Sequence, residues 1–218
     1  MGSITRSFAN NIGTSGILKA GAFNNASLNN VTALNAAIAT GNMILISSQT
    51  ASNSASISFT TGIDSTYKEY QFYFINIHPR TDSTAFTFNL STDAGSNYNV
   101  TKTTTFFRAQ HLESGGADVF EYVTGDDLAQ STSFQNISNL CGFDSDQNVS
   151  GSLQLFNPAS TTYVKHFIST VNSCFTDSEA TANLFMAGYG NTTSAVNAVQ
   201  FKMSSGNFDG DILMYGIK

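Results

Sequence analysis

The sequence contains no tryptophan, only two prolines and two cysteines, and only 11% charged residues among its 218 residues. The scarcity of proline excludes collagen-like and proline-rich structures. The low charge argues against long solvent-exposed helices that carry many Glu–Lys ion pairs. The opening residues lack the apolar stretch of a secretory signal, and no run approaches the ~20 apolar residues of a membrane span. We therefore expect that the protein is made and folds in the cytoplasm.

Charge is also distributed unevenly along the chain. The first 63 residues contain no acidic side chain and only two basic ones, Arg6 and Lys19. The rest of the chain has seven basic against fifteen acidic side chains, a net charge of −8. This acidic balance argues against a basic groove that follows phosphates, so neither nucleic acid nor a membrane is an expected partner. The asymmetry predicts two regions with different surroundings.

The first of these regions, residues 1–41, is rich in Gly, Ala, Asn, Ser and Thr and shows no pattern of an independent core. Residues 31–39 could form a short helix, because Leu34 and Ile38 would lie on one helical face. A short, nearly neutral segment that cannot bury itself usually docks against another surface. We therefore predict an extended N-terminal docking arm over residues 1–41 and a separate domain over residues 42–218.

The second region has the texture of a β protein. Residues 55–60 alternate between apolar and hydroxyl side chains, the period of two that a half-buried strand requires. The run from Tyr70 to His78 is apolar on both faces and predicts a central strand, with Tyr70, Phe72, Phe74, Asn76 and His78 on one face. Similar runs occur at 43–46, 85–90, 100–110, 119–123, 133–137, 150–156, 163–171, 183–189, 195–203 and 211–217.

Polar turns separate these runs, and Ser, Thr and Asn make up about a third of the chain. Threonine is β-branched and suits strands, whereas serine is compatible with their exposed faces. Short strands at regular spacing, with no long helical period, predict an all-β protein. The expected fold is an antiparallel β-sandwich, jelly-roll-like, preceded by the extended N-terminal arm.

One turn is recognisable in detail, the segment S-T-D-A-G-S-N-Y from Ser91 to Tyr98. Asp93 can accept hydrogen bonds from backbone amides, Gly95 supplies a positive φ, and Tyr98 can pack beneath them. The segment resembles the Asp-box hairpin of sialidase propellers, with Tyr98 at the usual tryptophan position. A single copy predicts a stable turn and carries no functional implication.

A second loop carries a weak metal-binding pattern. Asp144, Asp146 and Asn148 have the one, three, five spacing of a calcium loop. An EF-hand would require Gly where Val149 stands and Glu where Leu155 stands, and no helices flank the loop. A loose calcium site is one hypothesis and a solvated turn rich in Asp and Asn is the other. No other metal or cofactor is expected.

Catalytic patterns are weak throughout the sequence. Glu121, Asp126 and Asp127 could be read as the carboxylate pair of a glycosidase, but fifteen acidic residues produce such neighbours by chance. The three histidines, His78, His111 and His166, form no metal or general-base motif, and core or interface positions are expected for them. We therefore predict a non-enzymatic protein.

Two further expectations concern sulfur and aromatic residues. Cys141 and Cys174 match neither a zinc pair nor a dense disulfide framework, which predicts two reduced core thiols. Exposed Tyr and Phe among hydroxyl-rich turns could line a glycan-binding face, because aromatic rings stack on the C–H faces of sugars. The same aromatic residues would equally serve a sandwich core or a subunit interface.

Both ends of the chain suggest a family. The opening M-G-S-I-T-R-S-F-A-N-N-I and the segment ASLNNVTALNAAIATGN resemble the leader and connector of structural proteins of marine tailed bacteriophages. Residues 44–98 and the ending DILMYGIK are similar to the β domains of phage virion and tail-fibre-like proteins. Residues 100–205 share only their general texture.

The resemblance implies an accessory structural protein on the virion surface, a capsid decoration or head-fibre protein or a short tail fibre. It also implies a homotrimer that docks on other virion proteins through residues 1–41. The charge-poor arm agrees with this, because burial at an interface penalises unpaired charge. The alternative function is a lectin-like adhesin domain that binds host surface glycans.

Overall fold

The computed structural model describes residues 42–116, 118–175 and 180–218. The predicted arm over residues 1–41, with its short helix, lies outside these ranges. Twelve strands occupy the described residues, and each overlaps one of the predicted runs. They are β1 Met43–Ser54, β2 Ile57–Phe59, β3 Glu69–Pro79, β4 Phe86–Ser91, β5 Lys102–Leu112, β6 Val119–Tyr122, β7 Gln135–Asn136, β8 Val149–Phe156, β9 Lys165–Phe175, β10 Ala180–Gly190, β11 Ala198–Met203 and β12 Phe208–Ile217. Within these ranges we find no helix that could cross a membrane.

The strands form two antiparallel sheets packed face to face. The long sheet has the order β1-β12-β3-β8-β9-β10-β5-β6, and the short sheet has the order β2-β11-β4-β7. If β5, β6, β9 and β10 are set aside, the other eight strands form the two four-stranded sheets of a jelly roll, β1-β12-β3-β8 and β2-β11-β4-β7. The four strands set aside lie side by side and widen the long sheet at one end. We call them the extension.

Aromatic side chains hold the jelly-roll part together. Phe201 on β11 lies 5.3 Å from Phe72 and 5.2 Å from Phe74 between ring centroids, which joins the short sheet to β3. Phe86 on β4 lies 5.1 Å from Phe74, with the two rings nearly perpendicular. All four rings are buried, and full burial of each contributes roughly 1.5–3 kcal/mol. The predicted β-sandwich is therefore confirmed, with its core between the two sheets.

A bulge changes the facing of β3. Its pairing with β8 shifts register between Phe74 and Ile77, and Asn76 has φ 52°. Gly210 on neighbouring β12 has φ 123°, and a Cβ there would lie 2.6 Å from the Asn76 carbonyl oxygen. Ile77 is therefore buried, while Asn76 is exposed. The prediction that Asn76 and His78 lie on the same face as Phe74 is wrong, because the extra residue reverses the alternation.

The predicted turn at residues 91–98 is confirmed in its details. The Asp93 carboxylate accepts the Asn97 backbone N–H at 2.8 Å and the Ser91 hydroxyl at 2.7 Å. Hydrogen bonds from Asn97 and Ser91 lower the pKa of Asp93 to about 2. Gly95 has φ 87°, and a Cβ there would lie 2.7 Å from the Tyr98 hydroxyl oxygen. The turn closes the end of β4, and the buried Tyr98 hydroxyl at its base has no hydrogen-bond partner within the described residues.

Cys141 and Cys174 do not form a disulfide, as predicted. Cys141 is buried in the core, where burial raises the pKa of its thiol. Cys174 is only half-buried, at an outward-facing position of β9. The expectation of two core thiols therefore holds for Cys141 alone.

Candidate functional site

The extension presents a sheet face that the short sheet does not cover. Along β9 burial alternates strictly, with Lys165 and Phe167 buried and His166 and Ile168 exposed. The same period of two holds over much of β10 and β5, because successive side chains on a strand point to opposite faces. We call the outward side of β6, β5, β10 and β9 the outer face.

Antiparallel pairing arranges the outer face in rows across the strands. The middle row contains Phe107 and Phe185, which are direct partners. Their rings stack with centroids 4.8 Å apart and planes 10° from parallel. The rows on either side carry smaller side chains on β5 and β10. The flanking rows, from β5 through β10 to β9, are Thr105, Ala187 and Ile168 on one side and Ala109, Asn183 and Asn172 on the other.

The first of these flanks forms a hollow of about 430 Å³. Its lining comes from residues 103–105, 166–168 and 187–189, on three adjacent strands. Tyr189 and His166 border it with ring centroids 6.1 Å apart, and Ile168 is 48% exposed. None of the described residues that line it is a carboxylate, a lysine or an arginine. The first hollow is therefore an uncharged site with aromatic and hydroxyl borders.

The second flank forms a hollow of about 400 Å³ between β9, β10, β5 and β6. The side-chain amide of Asn172 donates a 2.8 Å hydrogen bond to the Thr181 hydroxyl. Within the described ranges the side-chain amide of Asn183, which also lines this hollow, makes no hydrogen bond. Phe120 on β6 borders this hollow and is 78% exposed. His111 and Asp118 pair at 2.5 Å at its margin. Both hollows have volumes within the range of small-molecule sites.

The local sequence explains why the hollows form. On β10 the outward positions read Asn183, Phe185, Ala187, and on β5 they read Ala109, Phe107, Thr105. Small or short side chains thus flank one large aromatic pair on both strands. The Phe pair forms a ridge, and the missing side-chain volume on each side leaves the two depressions. The outer face was not predictable in this form, because the pairing of β5 with β10 joins segments far apart in the chain.

The predicted calcium residues lie together in the loop before β8. Asp144 and Asp146 are exposed and, with Glu113, line a small depression of about 170 Å³. Asn148 is half-buried, and its carbonyl accepts the Cys174 N–H at 3.2 Å. Over the ranges the structure describes, no three His, Cys, Asp or Glu side chains are placed to hold a metal ion. The calcium site stays a prediction.

The predicted carboxylates have structural partners. Glu121 pairs with Arg108 at 2.7 Å across β5 and β6. The Asp126 carboxylate accepts a 2.7 Å hydrogen bond from the side-chain amide of Asn136 and another hydrogen bond from the side-chain amide of Asn139. The Asp127 carboxylate accepts the hydroxyl of Tyr122 at 2.5 Å, and this hydrogen bond raises the pKa of Tyr122. Glu121 therefore joins β6 to β5, and Asp126 and Asp127 fix the segment after β6.

The histidines occupy three different surroundings. His78 is half-buried, and its ring Nε2 lies 3.1 Å from the Asp144 carbonyl oxygen. His111 and His166 are exposed on the outer face. The expectation of core histidines is therefore wrong, because all three histidines occupy outward-facing positions of their strands. The interface alternative stays a prediction.

Two buried lysines were missed at the sequence level. Lys102 and Lys165 are both fully buried and are both partners of Gly190, one on each side of β10. The Lys102 ammonium donates to the Asn89 side-chain oxygen at 2.5 Å and to the Val100 carbonyl at 2.8 Å. Burial lowers the pKa of Lys102 to about 7 and lowers the pKa of Lys165 as well. Lys102 lies two and four residues before the inward-facing Thr104 and Phe106, and this spacing could have predicted that Lys102 faces inward.

Comparisons with known proteins give no assignment: no protein family, no curated protein and no solved structure matches this chain.

Proposed function

We propose that the protein is a non-enzymatic accessory structural protein on the surface of a tailed phage virion, either a capsid decoration or head-fibre protein or a short tail fibre. Residues 1–41 dock it on other virion proteins, and the sandwich over residues 42–218 is displayed outward as a homotrimer. The observation that carries the proposal is the jelly-roll strand order, since viral capsid and lectin domains recur on that architecture. This argument is an analogy of fold. Among the proteins built on this architecture, the resemblance of the opening residues favours a structural protein of a tailed phage.

Two features of the sandwich support a structural role. The described core is built from residues between Ala51 and Met214, so the sandwich has its own hydrophobic interior. The carboxylates considered for catalysis, Glu121, Asp126 and Asp127, are each engaged by neighbouring side chains. Such partners favour a scaffold over a hydrolytic site, which needs one carboxylate free to act as acid and another as base or nucleophile.

Deletion of residues 1–41 tests the docking role. We expect the truncated protein to fold, with unfolding behaviour close to that of the full chain, and to be missing from particles assembled in cells that express it. The full chain, expressed in the same way, should join the particles, and sedimentation should give three times its 23.3 kDa mass. Incorporation of the truncated protein at full occupancy would overturn the docking role.

A further inference from the structure

We infer that the outer face binds a neutral, hexose-containing polysaccharide, with one sugar in each of the two hollows and the Phe107–Phe185 ridge between them. The inference goes beyond the proposed function, because it concerns what the displayed face binds and does not depend on where the protein sits in a particle.

The spacing of the hollows matches a chain ligand. Ala187 and Asn183, which mark the first and second hollows, lie four residues apart on β10. At roughly 3.3 Å per residue the hollow centres are therefore about 13 Å apart, a distance that a short run of linked sugars can span. Two similar depressions, joined by an aromatic ridge, suit a ligand with a repeating unit.

The chemistry of the lining points to sugars. Each hollow has one accessible aromatic ring, Tyr189 in the first and Phe120 in the second. An aromatic face can cover the C–H face of a sugar, and a phenol can also hydrogen-bond. Within the described ranges we find no hydrogen bonds to the His166 ring, the Tyr189 hydroxyl or the Asn183 amide, so these groups can bind sugar hydroxyls.

Charge on the outer face favours a neutral ligand. The described lining of the first hollow contains no carboxylate, lysine or arginine. In the second hollow the one carboxylate, Asp118, is already paired with His111. An acidic polysaccharide would find no lysine or arginine in either lining. Binding should therefore depend little on salt concentration.

Affinity electrophoresis of the full chain tests the inference, with dextran, mannan and arabinogalactan in the native gel. We expect at least one of them to retard the protein. Tyr189→Ala and Phe120→Ala should each weaken this binding about tenfold or more, as truncation of an aromatic anchor does. Phe143→Ala is the matched control, because Phe143 is 48% exposed and lines neither hollow.

Three results would overturn the inference. The first is the absence of retardation by all three polysaccharides. The second is equal retardation of the wild type and the two hollow variants. The third is a change of assembly state in Phe120→Ala, measured by sedimentation velocity, which would assign the outer face to a subunit interface. Loss of binding in both hollow variants, with assembly unchanged and Phe143→Ala like the wild type, would support it.

Discussion

The jelly-roll part and the extension share one long sheet, yet their interiors are built differently. In the jelly-roll part, rings from both sheets meet, and Phe201 lies within 6.5 Å of five other phenylalanines. In the extension, the inner positions include Thr104, Ser169 and Ser173, all buried. The aromatic cluster thus dominates the jelly-roll interior, while the extension interior combines apolar residues with buried hydroxyl groups that need hydrogen-bond partners.

The polar interior of the extension has a visible cause. The segment after β6 packs on the inner side of β5, where the Thr104 hydroxyl donates to Gln135 at 2.6 Å and accepts the Leu128 N–H at 2.7 Å. A loop brings backbone groups that need partners, and side-chain hydroxyls and amides supply them. The inner side of the extension is therefore covered partly by this loop and partly by the short sheet, where Phe88 packs 5.1 Å from Phe167 between ring centroids, while its outer side stays accessible.

The largest expected effect is in the jelly-roll part. Phe201→Ala removes the ring that contacts both sheets and leaves a cavity, and we expect the free energy of unfolding to fall by about 4 kcal/mol. Urea denaturation measures it. The exposed Phe143→Ala should change it by less than about 0.5 kcal/mol. A loss of stability below that of the Gln135 variant described next would break the contrast between aromatic packing and buried hydrogen bonds.

The second prediction concerns the hydrogen bonds that join Thr104 of the extension to Gln135 on β7 of the short sheet. Gln135→Leu keeps the side-chain size but removes partners from the Thr104 hydroxyl and from the Asp126 and Asn136 carbonyls, whose hydrogen bonds are 2.6–2.8 Å long. We expect a loss of about 2–3 kcal/mol, since buried polar groups would lose their partners. The same denaturation measurement on Gln130→Leu, at an exposed position, is the control. Equal stability of the two variants would contradict a polar interior.

The third prediction uses the buried Lys102. Its pKa falls from 10.5 to about 7 on burial, so between these pH values the unfolded chain binds the additional proton and stability rises with pH. From pH 7 to 9 the wild type should gain about 2 kcal/mol relative to Lys102→Met. Denaturation at several pH values measures this, with the exposed Lys68→Met as control. If the free energy of unfolding varied with pH in the same way for wild type and Lys102→Met, Lys102 would have the same protonation in the folded and the unfolded states.

The smallest effect concerns the turn at residues 91–98. The pKa of Asp93 is lowered to about 2, from 3.8, so its charge stabilises the fold above pH 3.8 and this contribution is lost as the pH falls through about 2. Thermal unfolding should show Asp93→Asn below the wild type at pH 6, with the gap closing towards pH 2. The exposed Asp146→Asn is the matched control. A gap that is constant with pH would mean that the charge contributes nothing.

Much of the fold could be predicted from local patterns. Alternation of apolar and hydroxyl residues located the strands, and the turn chemistry of Asp93 and Gly95 was read correctly because it depends on neighbouring residues. The bulge at Asn76 was missed, since it depends on the opposing Gly210, distant in sequence. A positive φ at a non-glycine residue leaves little trace in a single sequence.

The candidate site was less predictable than the fold. Aromatic residues near hydroxyl-rich segments were noted, but the outer face exists only because β5 pairs with β10, which places Phe107 beside Phe185. The burial of Lys102 and Lys165 was missed because their neighbours across the sheet decide whether a lysine faces inward. Tertiary pairing, rather than local preference, thus creates both features.

Immunogold labelling of intact phage particles tests the central claim most directly, with an antibody raised against the folded protein and purified protein as the labelling control. The proposed function predicts gold on the outer surface of the particles, where a head position would indicate decoration and a tail position would indicate a fibre. Intact particles that carry no gold, while the purified protein labels strongly, would contradict a protein displayed on the virion surface.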